Sequence, residues 1–248
     1  MNVSDKPGAI TAGAIDLNAD LGEGCPNDRA LLSLVASASI SCGAHAGSTE
    51  AIRQTLRDAR ELGVVVGAHP GYADRDGFGR RDQELSTAQV ESLITAQVSA
   101  LDRLAREASV VIRYLKPHGA LYNQAQHQEP IALGVVAAAE ALGLPLLGQP
   151  GTLLQALCAE RSVRYIPEGF PDRRYRDDGS LLPRSQPNAI LVEPDELAAQ
   201  VLRLVAEARF ATLCIHGDDP RAVQNAELVR RVLANHGIPV RSFLESTC

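Results

Sequence analysis

The residues best suited to chemistry lie in one stretch near the start of the chain, IDLNADLGEG at positions 15–24. It is a short apolar run that carries Asp16, Asn18 and Asp20 and breaks into glycines around Glu23, as a buried strand does when it delivers polar groups to its carboxyl end. Side chains alternate along a strand, so the first three fall on one face. Three polar groups on one strand face favour a functional site. The alternative is a turn cluster that only satisfies backbone donors, because Asp, Asn and Gly favour turns.

Most of the histidines also follow predicted strands, in turns bounded by glycine. They are His45, His69, His118 and His216, the last with Asp218 two residues further on. Because the strands of a parallel barrel all point the same way, we expect these groups and those of residues 16–23 to converge on one face. Carboxylates and imidazoles together suit general acid and base catalysis, or a divalent metal. His127 and His236 lie in helical or loop context and are assigned no role.

Lysine is rare in this chain. Of 24 basic residues only Lys6 and Lys116 are lysines, so ordinary surface charge is carried by arginine. We therefore expect Lys116 to be present for its compact ammonium group, which a guanidinium does not replace. It can supply a point charge for an oxyanion or a phosphate, or act as a base if burial lowers its pKa. Pro117 holds it extended and ends the strand.

Composition excludes several classes of protein. A formal charge of −6, 4% aromatic residues and no Trp oppose nucleic-acid binding. No apolar run approaches the roughly 18 residues of a membrane span, and the N-terminus lacks the pattern of a signal peptide, so we predict a soluble, cytoplasmic protein. G-x-S-x-G and P-loop motifs are absent. The five cysteines have no metal or disulfide spacing, and we expect reduced thiols.

The elements that position these groups alternate along the whole chain. Apolar runs and helical patterns follow one another, which predicts βα units and a parallel sheet. We predict a single α/β domain, residues 14–248, after an N-terminal tail of residues 1–13; its fold is a TIM-like β/α barrel of about seven or eight strands. The predicted strands cover residues 14–20, 38–42, 64–66, 110–115, 144–147, 163–166, 211–215 and 239–243. The predicted helices cover residues 27–35, 48–62, 130–142, 152–160 and 194–208, with a long helix that Ser86 begins and a last one from Asp219, as N-cap, to His236.

Two segments are too long and too charged for plain connections. Residues 70–83 carry arginines and aspartates among glycines and form a candidate binding loop. Residues 168–188 have no apolar period and read as a lid or a partner-facing loop, with Arg173 and Arg184 as candidates for binding a substrate carboxylate.

At these motifs the chain resembles the LamB/YcsF family. The matching stretches are IDLNADLGEG at 15, CGAHAG at 42, GAHPGYADRDGFGRR at 67, KPHGALYN at 116, DRRYRDDGSLLPRSQ at 172 and CIHGDDP at 214. The resemblance implies a β/α barrel of the glycoside hydrolase/deacetylase type. It also implies the work of the A subunit in the prokaryotic ATP-dependent 5-oxoprolinase, where 5-oxo-L-proline, ATP and water give L-glutamate, ADP and phosphate, together with subunits B and C.

This reaction gives the candidate residues their expected roles. We expect Lys116 to act on the amide oxygen or phosphate, and Asp16 or Asp20 to activate water with His45, His69 or His118. The expected substrate-binding residues are Asn18, Glu23, Arg173, Arg184, His216 and Asp218. ATP would be the co-substrate. A divalent metal, if bound, would use Asp20, His69 and His118, which resemble the aspartate and two histidines that bind metal in related barrels. Two alternatives are a stand-alone metal-dependent amide hydrolase or deacetylase, and a non-catalytic regulatory subunit.

Overall fold

Seven parallel strands close into a barrel in the part of the chain that the computed structural model describes, residues 13–184 and 186–244. Each strand pairs with the next along the chain, and the last pairs with the first. They are β1 (Asp16–Leu21), β2 (Ser37–Ser41), β3 (Val65–His69), β4 (Ile112–Leu115), β5 (Leu146–Gly148), β6 (Tyr165–Gly169) and β7 (Thr212–His216). The predicted TIM-like β/α barrel is confirmed. The predicted tail, residues 1–13, lies outside the described residues except for residue 13, and the limits of the single domain stay a prediction.

Helices connect the strands and cover the outside of the barrel. They are α1 (Asp28–Leu32), α2 (Thr49–Glu61), α3 (Thr87–Glu107), α4 (Gly119–Ala125), α5 (Glu129–Leu142), α6 (Leu153–Glu160), α7 (Pro194–Ala206) and α8 (Ala222–Asn235). The start of α3 is the predicted capping box, in which Ser86 and Gln89 satisfy each other's backbone N–H groups. Helix α4, which follows His118, was not predicted. Across the described ranges, no helix has the length and apolar character needed to cross a membrane.

Two predicted elements at the C-terminal end are wrong. Residues 239–243 form no strand, because β7 already pairs with β1 and closes the barrel; only an isolated bridge joins Val240 to Ile15. The last helix begins at Ala222 instead of Asp219. The Asp219 carboxylate accepts from the backbone N–H of Arg221 at 2.8 Å, which is a turn contact before the helix starts.

The barrel interior is polar at the strand that opens the chain. Leu17, Ala19 and Leu21 of β1 belong to the apolar core. Asp16, Asn18 and Asp20 alternate with them and are also buried, so they occupy the opposite face, inside the barrel. The predicted sharing of one face is therefore correct.

Tyr114 fills much of the interior beside this face. Its hydroxyl lies 3.2 Å from Ser39 Oγ, and its ring covers Gly67 so closely that a Cβ at position 67 would collide with it. Glycine at position 67 therefore makes room for the tyrosine.

Candidate active site at the carboxyl ends of the strands

A buried ammonium group lies between two carboxylates in the barrel interior. Lys116, directly after β4, has its Nζ 2.8 Å from Asp20 Oδ1 and 2.9 Å from Glu168 Oε1. Burial by itself lowers the pKa of Lys116, but the attraction of Asp20 outweighs this and holds the pKa well above its usual value. Lys116 is therefore cationic at neutral pH. This removes the alternative in which it acts as a base.

Glu168 is a site residue that the sequence analysis missed. It was placed in the charged loop 168–188, but it lies on β6 and is fully buried. Its Oε1 also accepts from Asn18 Nδ2 at 2.9 Å, while its Oε2 is buried without a hydrogen-bond partner in the described part of the chain. A signal was present: in IPEGF the carboxylate follows an apolar residue and precedes a glycine, as Asp20 does.

Three predicted histidines meet Glu23 in a second buried group, which we call the imidazole cluster: Glu23, His45, His69 and His118. One donor atom from each lies within 4.8 Å of the others. His69 Nε2 and His118 Nδ1 are 3.0 Å apart, and His45 Nε2 lies 3.1 Å from Glu23 Oε1. The rings of His45 and His118 are stacked, with centroids 3.8 Å apart. These four groups can hold a metal ion or exchange protons.

Burial determines the charge of the cluster. Desolvation lowers the pKa of His45 to about 3 and that of His118 well below its usual value. Desolvation and then repulsion from Asp20 raise the pKa of Glu23 well above its usual value. Asp20 is different: burial would raise its pKa, but His69 and Lys116 hold it well below the normal range. The cluster is thus mainly neutral beside one ionised carboxylate.

The predicted binding loop, residues 70–83, closes against the imidazole cluster. The Phe78 carbonyl accepts from His118 Nε2 at 2.8 Å. A Cβ at Gly71 would lie 2.9 Å from His45 Nδ1, and one at Gly79 would lie 2.8 Å from His45 Cβ. The loop glycines therefore allow the backbone to pack directly on the imidazoles.

Three loops meet at Asp218, which follows β7. Its carboxylate accepts from Arg80 of the 70–83 loop at 2.5 Å and from Arg184 at 3.2 Å. Burial acts to raise the pKa of Asp218, but Arg184 and Arg80 lower it to about 2. Arg80 was not predicted as a site residue. His216, two residues earlier, lies 2.8 Å from Asp172 Oδ2 through its Nδ1, so it belongs to the same edge of the barrel.

Two predicted site residues lie elsewhere. Asp16 is at the opposite end of β1, about 13 Å from Asp20 at the usual rise of a strand. It is fully buried, and Ser37 and Thr212 donate hydrogen bonds to it. Arg173 is 6% exposed, and its Nη2 donates to the Leu182 carbonyl at 2.6 Å. It therefore does not lie on an exposed lid.

The predicted lid is also more ordered than expected. Isolated antiparallel bridges join Arg173 to Ile190 and Tyr175 to Leu181. Asn18, a predicted substrate-binding residue, is fully buried and donates to Glu168 and Thr212.

The predicted metal set is brought together only in part. His69 and His118 lie in the imidazole cluster, whereas Asp20 Oδ1 is paired with Lys116. The other oxygen, Asp20 Oδ2, is 3.4 Å from His69 Nε2. Glu23 takes the position nearest to the three imidazoles.

These features define a TIM-like β/α-barrel protein with an enzyme-like group of ionisable side chains at one end of its strands. Residues 15–247 match the LamB/YcsF family along almost the whole chain. The chain belongs to the LamB/YcsF family, as its motifs predicted.

Known proteins agree with this membership. A relative named as the A subunit of 5-oxoprolinase, from Neisseria meningitidis serogroup C (strain 053442), is 42% identical over 240 residues, which cover 91% of this chain and 98% of the relative. The crystal structure of a lactam utilization protein from Thermus thermophilus superimposes with a TM-score of 0.85 at 37% identity, covering 93% of this chain and 100% of that one. The catalytic domain of a peptidoglycan N-acetylglucosamine deacetylase from Eubacterium rectale shares the fold alone, with a TM-score of 0.51 and 12% identity over 99% of this chain and 94% of that one.

Proposed function

We propose that this chain is the A subunit of an ATP-dependent 5-oxoprolinase and takes part in opening 5-oxo-L-proline to L-glutamate. The names of its relatives support the subunit role. The observation that carries the chemistry is the placement of an ionised carboxylate, Asp20, between a buried ammonium group and a cluster of mainly neutral imidazoles. Attack of water on an amide needs a proton acceptor for the water and positive charge near the oxygen that becomes negative.

ATP has a chemical reason to be the co-substrate of the complex. A five-membered lactam is stabilised by resonance, and its opening is unfavourable near neutral pH. Phosphorylation of the amide oxygen by ATP would weaken the amide and make attack by water feasible. This chain has no P-loop, so the companion subunits B and C are the expected source of the phosphoryl-transfer machinery.

In this proposal the imidazole cluster takes the proton from the attacking water. His69 is the member best placed to do so, because Asp20 Oδ2 lies 3.4 Å from its Nε2 and stabilises the imidazolium that forms. Lys116 keeps Asp20 ionised and supplies positive charge at the site. Arg80 and Arg184, which meet at Asp218, are the groups suited to the substrate carboxylate.

The test is glutamate release from 5-oxoproline and ATP, measured for the chain alone, for companion subunits B and C alone, and for the mixture. We expect neither ATP hydrolysis nor lactam opening from the isolated chain, and activity only in the mixture. Equal activity of the companions without this chain would give it a regulatory role instead.

A second candidate function is a stand-alone metal-dependent amide hydrolase or deacetylase. The convergence of four donor groups in the imidazole cluster favours it. Conversion of 5-oxoproline or of an acetylated amide by the isolated chain, lost on chelation and restored by added metal, would support this candidate against the partner-dependent one.

A further inference from the structure

The imidazole cluster contains two nitrogen lone pairs that face each other. His69 Nδ1 lies 2.7 Å from the Lys116 carbonyl oxygen, and His118 Nε2 lies 2.8 Å from that of Phe78. A carbonyl oxygen only accepts, so each of these outer nitrogens carries the ring proton. In the neutral rings the inner nitrogens, His69 Nε2 and His118 Nδ1, are then both bare, yet they are 3.0 Å apart. Only a cation between them removes the repulsion.

A carboxylate oxygen completes the arrangement. Glu23 Oε1 lies 3.4 Å from His118 Nδ1, 3.9 Å from His69 Nε2 and 3.1 Å from His45 Nε2. A proton would bridge only two of these atoms, whereas one metal ion can contact all of them. Two ligands about 2.1 Å from an ion lie about 3.4 Å apart at a tetrahedral angle, which the spacing of these donors approaches.

The surroundings also have the form of a metal site. In metal-binding proteins a ligating histidine commonly donates its other ring N–H to a carbonyl or carboxylate, which fixes the tautomer. His69 and His118 both do so. His45 lacks such an anchor, since its Nδ1 is buried without a partner among residues 13–184 and 186–244. His69 and His118 are therefore better fixed as ligands than His45.

We propose that Glu23, His69 and His118, with His45 as a weaker fourth donor, bind one divalent first-row transition-metal ion. A set of imidazoles with one carboxylate suits borderline cations such as Zn²⁺, Co²⁺ or Fe²⁺ better than Mg²⁺ or Ca²⁺. The inference concerns metal binding by the chain itself and does not depend on the lactam reaction. It replaces Asp20 of the sequence-based set by Glu23, because Asp20 Oδ1 is held by Lys116.

A second group of possible ligands, Asp20, Cys214 and His216, is a weaker site for a cation. The ammonium of Lys116 lies 2.8 Å from Asp20 Oδ1 and 2.9 Å from Cys214 Sγ, and so it already occupies this position with a positive charge. A metal ion there would be repelled at short range.

The test is a Co²⁺ titration of the purified chain after chelator treatment, followed by visible absorption and by metal analysis. We expect one Co²⁺ per chain and no thiolate-to-cobalt charge-transfer band. Glu23→Gln, His69→Ala and His118→Ala should each weaken binding by about 10-fold or more, with a smaller loss for His45→Ala. His127→Ala and His236→Ala are matched controls that remove an imidazole outside the cluster, and they should leave the affinity unchanged.

Three results would overturn the proposal. The first is a wild-type chain that binds no Co²⁺ beyond the level of the cluster variants, which would mean that a proton alone bridges the imidazoles. The second is a charge-transfer band that Cys214→Ser removes. The third is a greater loss of affinity in Asp20→Asn than in Glu23→Gln. The first two are measured on the wild-type spectrum, so they decide the matter even if a cluster variant fails to fold.

Discussion

Glu168 and Lys116 form an ion pair across the barrel interior, with Glu168 Oε1 2.9 Å from Lys116 Nζ. The glutamate lies on β6 and the lysine follows β4, so the pair spans strands that are not neighbours. Asp20 of β1 approaches the same ammonium at 2.8 Å. Three separate strands are therefore linked through one buried positive charge, and removing any member leaves an uncompensated charge in the interior.

The first prediction concerns the stability of this interior. Glu168→Gln keeps the shape of the side chain but removes its charge from Lys116 and weakens the bond from Asn18. We expect the free energy of unfolding to fall by about 1.5–3 kcal/mol, the usual cost of losing a hydrogen bond to a charged group. Urea unfolding measures this. Glu160→Gln, on the exposed end of α6, is the matched control, and an equally small effect of both variants would contradict the prediction.

The second prediction is that arginine cannot replace Lys116. The ammonium fits between Asp20 and Glu168 at 2.8 and 2.9 Å, in a space with 2% exposure, and a planar guanidinium is larger and differently shaped. Lys116→Arg should therefore lose about 10²-fold or more in turnover of the subunit mixture, almost as much as Lys116→Ala. Arg113→Lys, an exposed exchange on the same strand, should change nothing. A folded Lys116→Arg chain with most of its turnover would leave Lys116 a structural role only.

Local patterns accounted for most of the fold. The capping box at Ser86 and the alternation of Asp16, Asn18 and Asp20 are set by neighbouring residues, and both were predicted correctly. Barrel closure is not local: residues 239–243 have the composition of a strand but find no open edge, because β1 already pairs with β7. Helix α4 was missed for a related reason, since its seven residues are too few for a periodic pattern.

The site was predicted by residue type better than by contact. Periodicity does not say that Gly22, at φ +74°, turns the chain so that Glu23 meets the imidazoles while Asp20 faces Lys116. Nor does it say at which depth of the barrel a polar group on β1 lies, which is why Asp16 was grouped with the catalytic candidates. Both depend on strand length and on partners far away in the sequence.

The third prediction concerns Asp16 and pH. Burial raises the pKa of Asp16 to about 7, above the roughly 3.9 of an unfolded chain. Between these values the folded chain keeps a proton that the unfolded chain has lost, so the contribution of Asp16 to stability is full below about pH 4 and falls as the pH rises towards 7. Asp16→Asn cannot titrate and should remove this fall.

Urea unfolding at several pH values tests the prediction for Asp16. The difference in unfolding free energy between wild type and Asp16→Asn should shift towards the variant by up to about 1.4 kcal/mol per pH unit within that window. The exposed Asp177→Asn is the control, and its curve should run parallel to that of the wild type. A parallel curve for Asp16→Asn as well would mean that the pKa of Asp16 is not raised.

The last prediction concerns Arg184 at the mouth of the barrel. Arg173 is unsuitable for charge reversal, because it is buried beside Asp172 and Arg173→Glu would unfold the chain for reasons unrelated to function. Arg184 is 22% exposed and pairs with Asp218 at 3.2 Å, so Arg184→Glu should leave the thermal transition nearly unchanged. It should nevertheless abolish 5-oxoproline conversion in the mixture, because the arginine lies where a substrate carboxylate or a companion subunit would enter. Arg209→Glu, which reverses an exposed arginine paired with Glu207, is the matched control and should keep full activity. A raised KM for 5-oxoproline would assign Arg184 to the substrate, and a need for more companion subunit would assign it to the interface; normal activity of Arg184→Glu would exclude both.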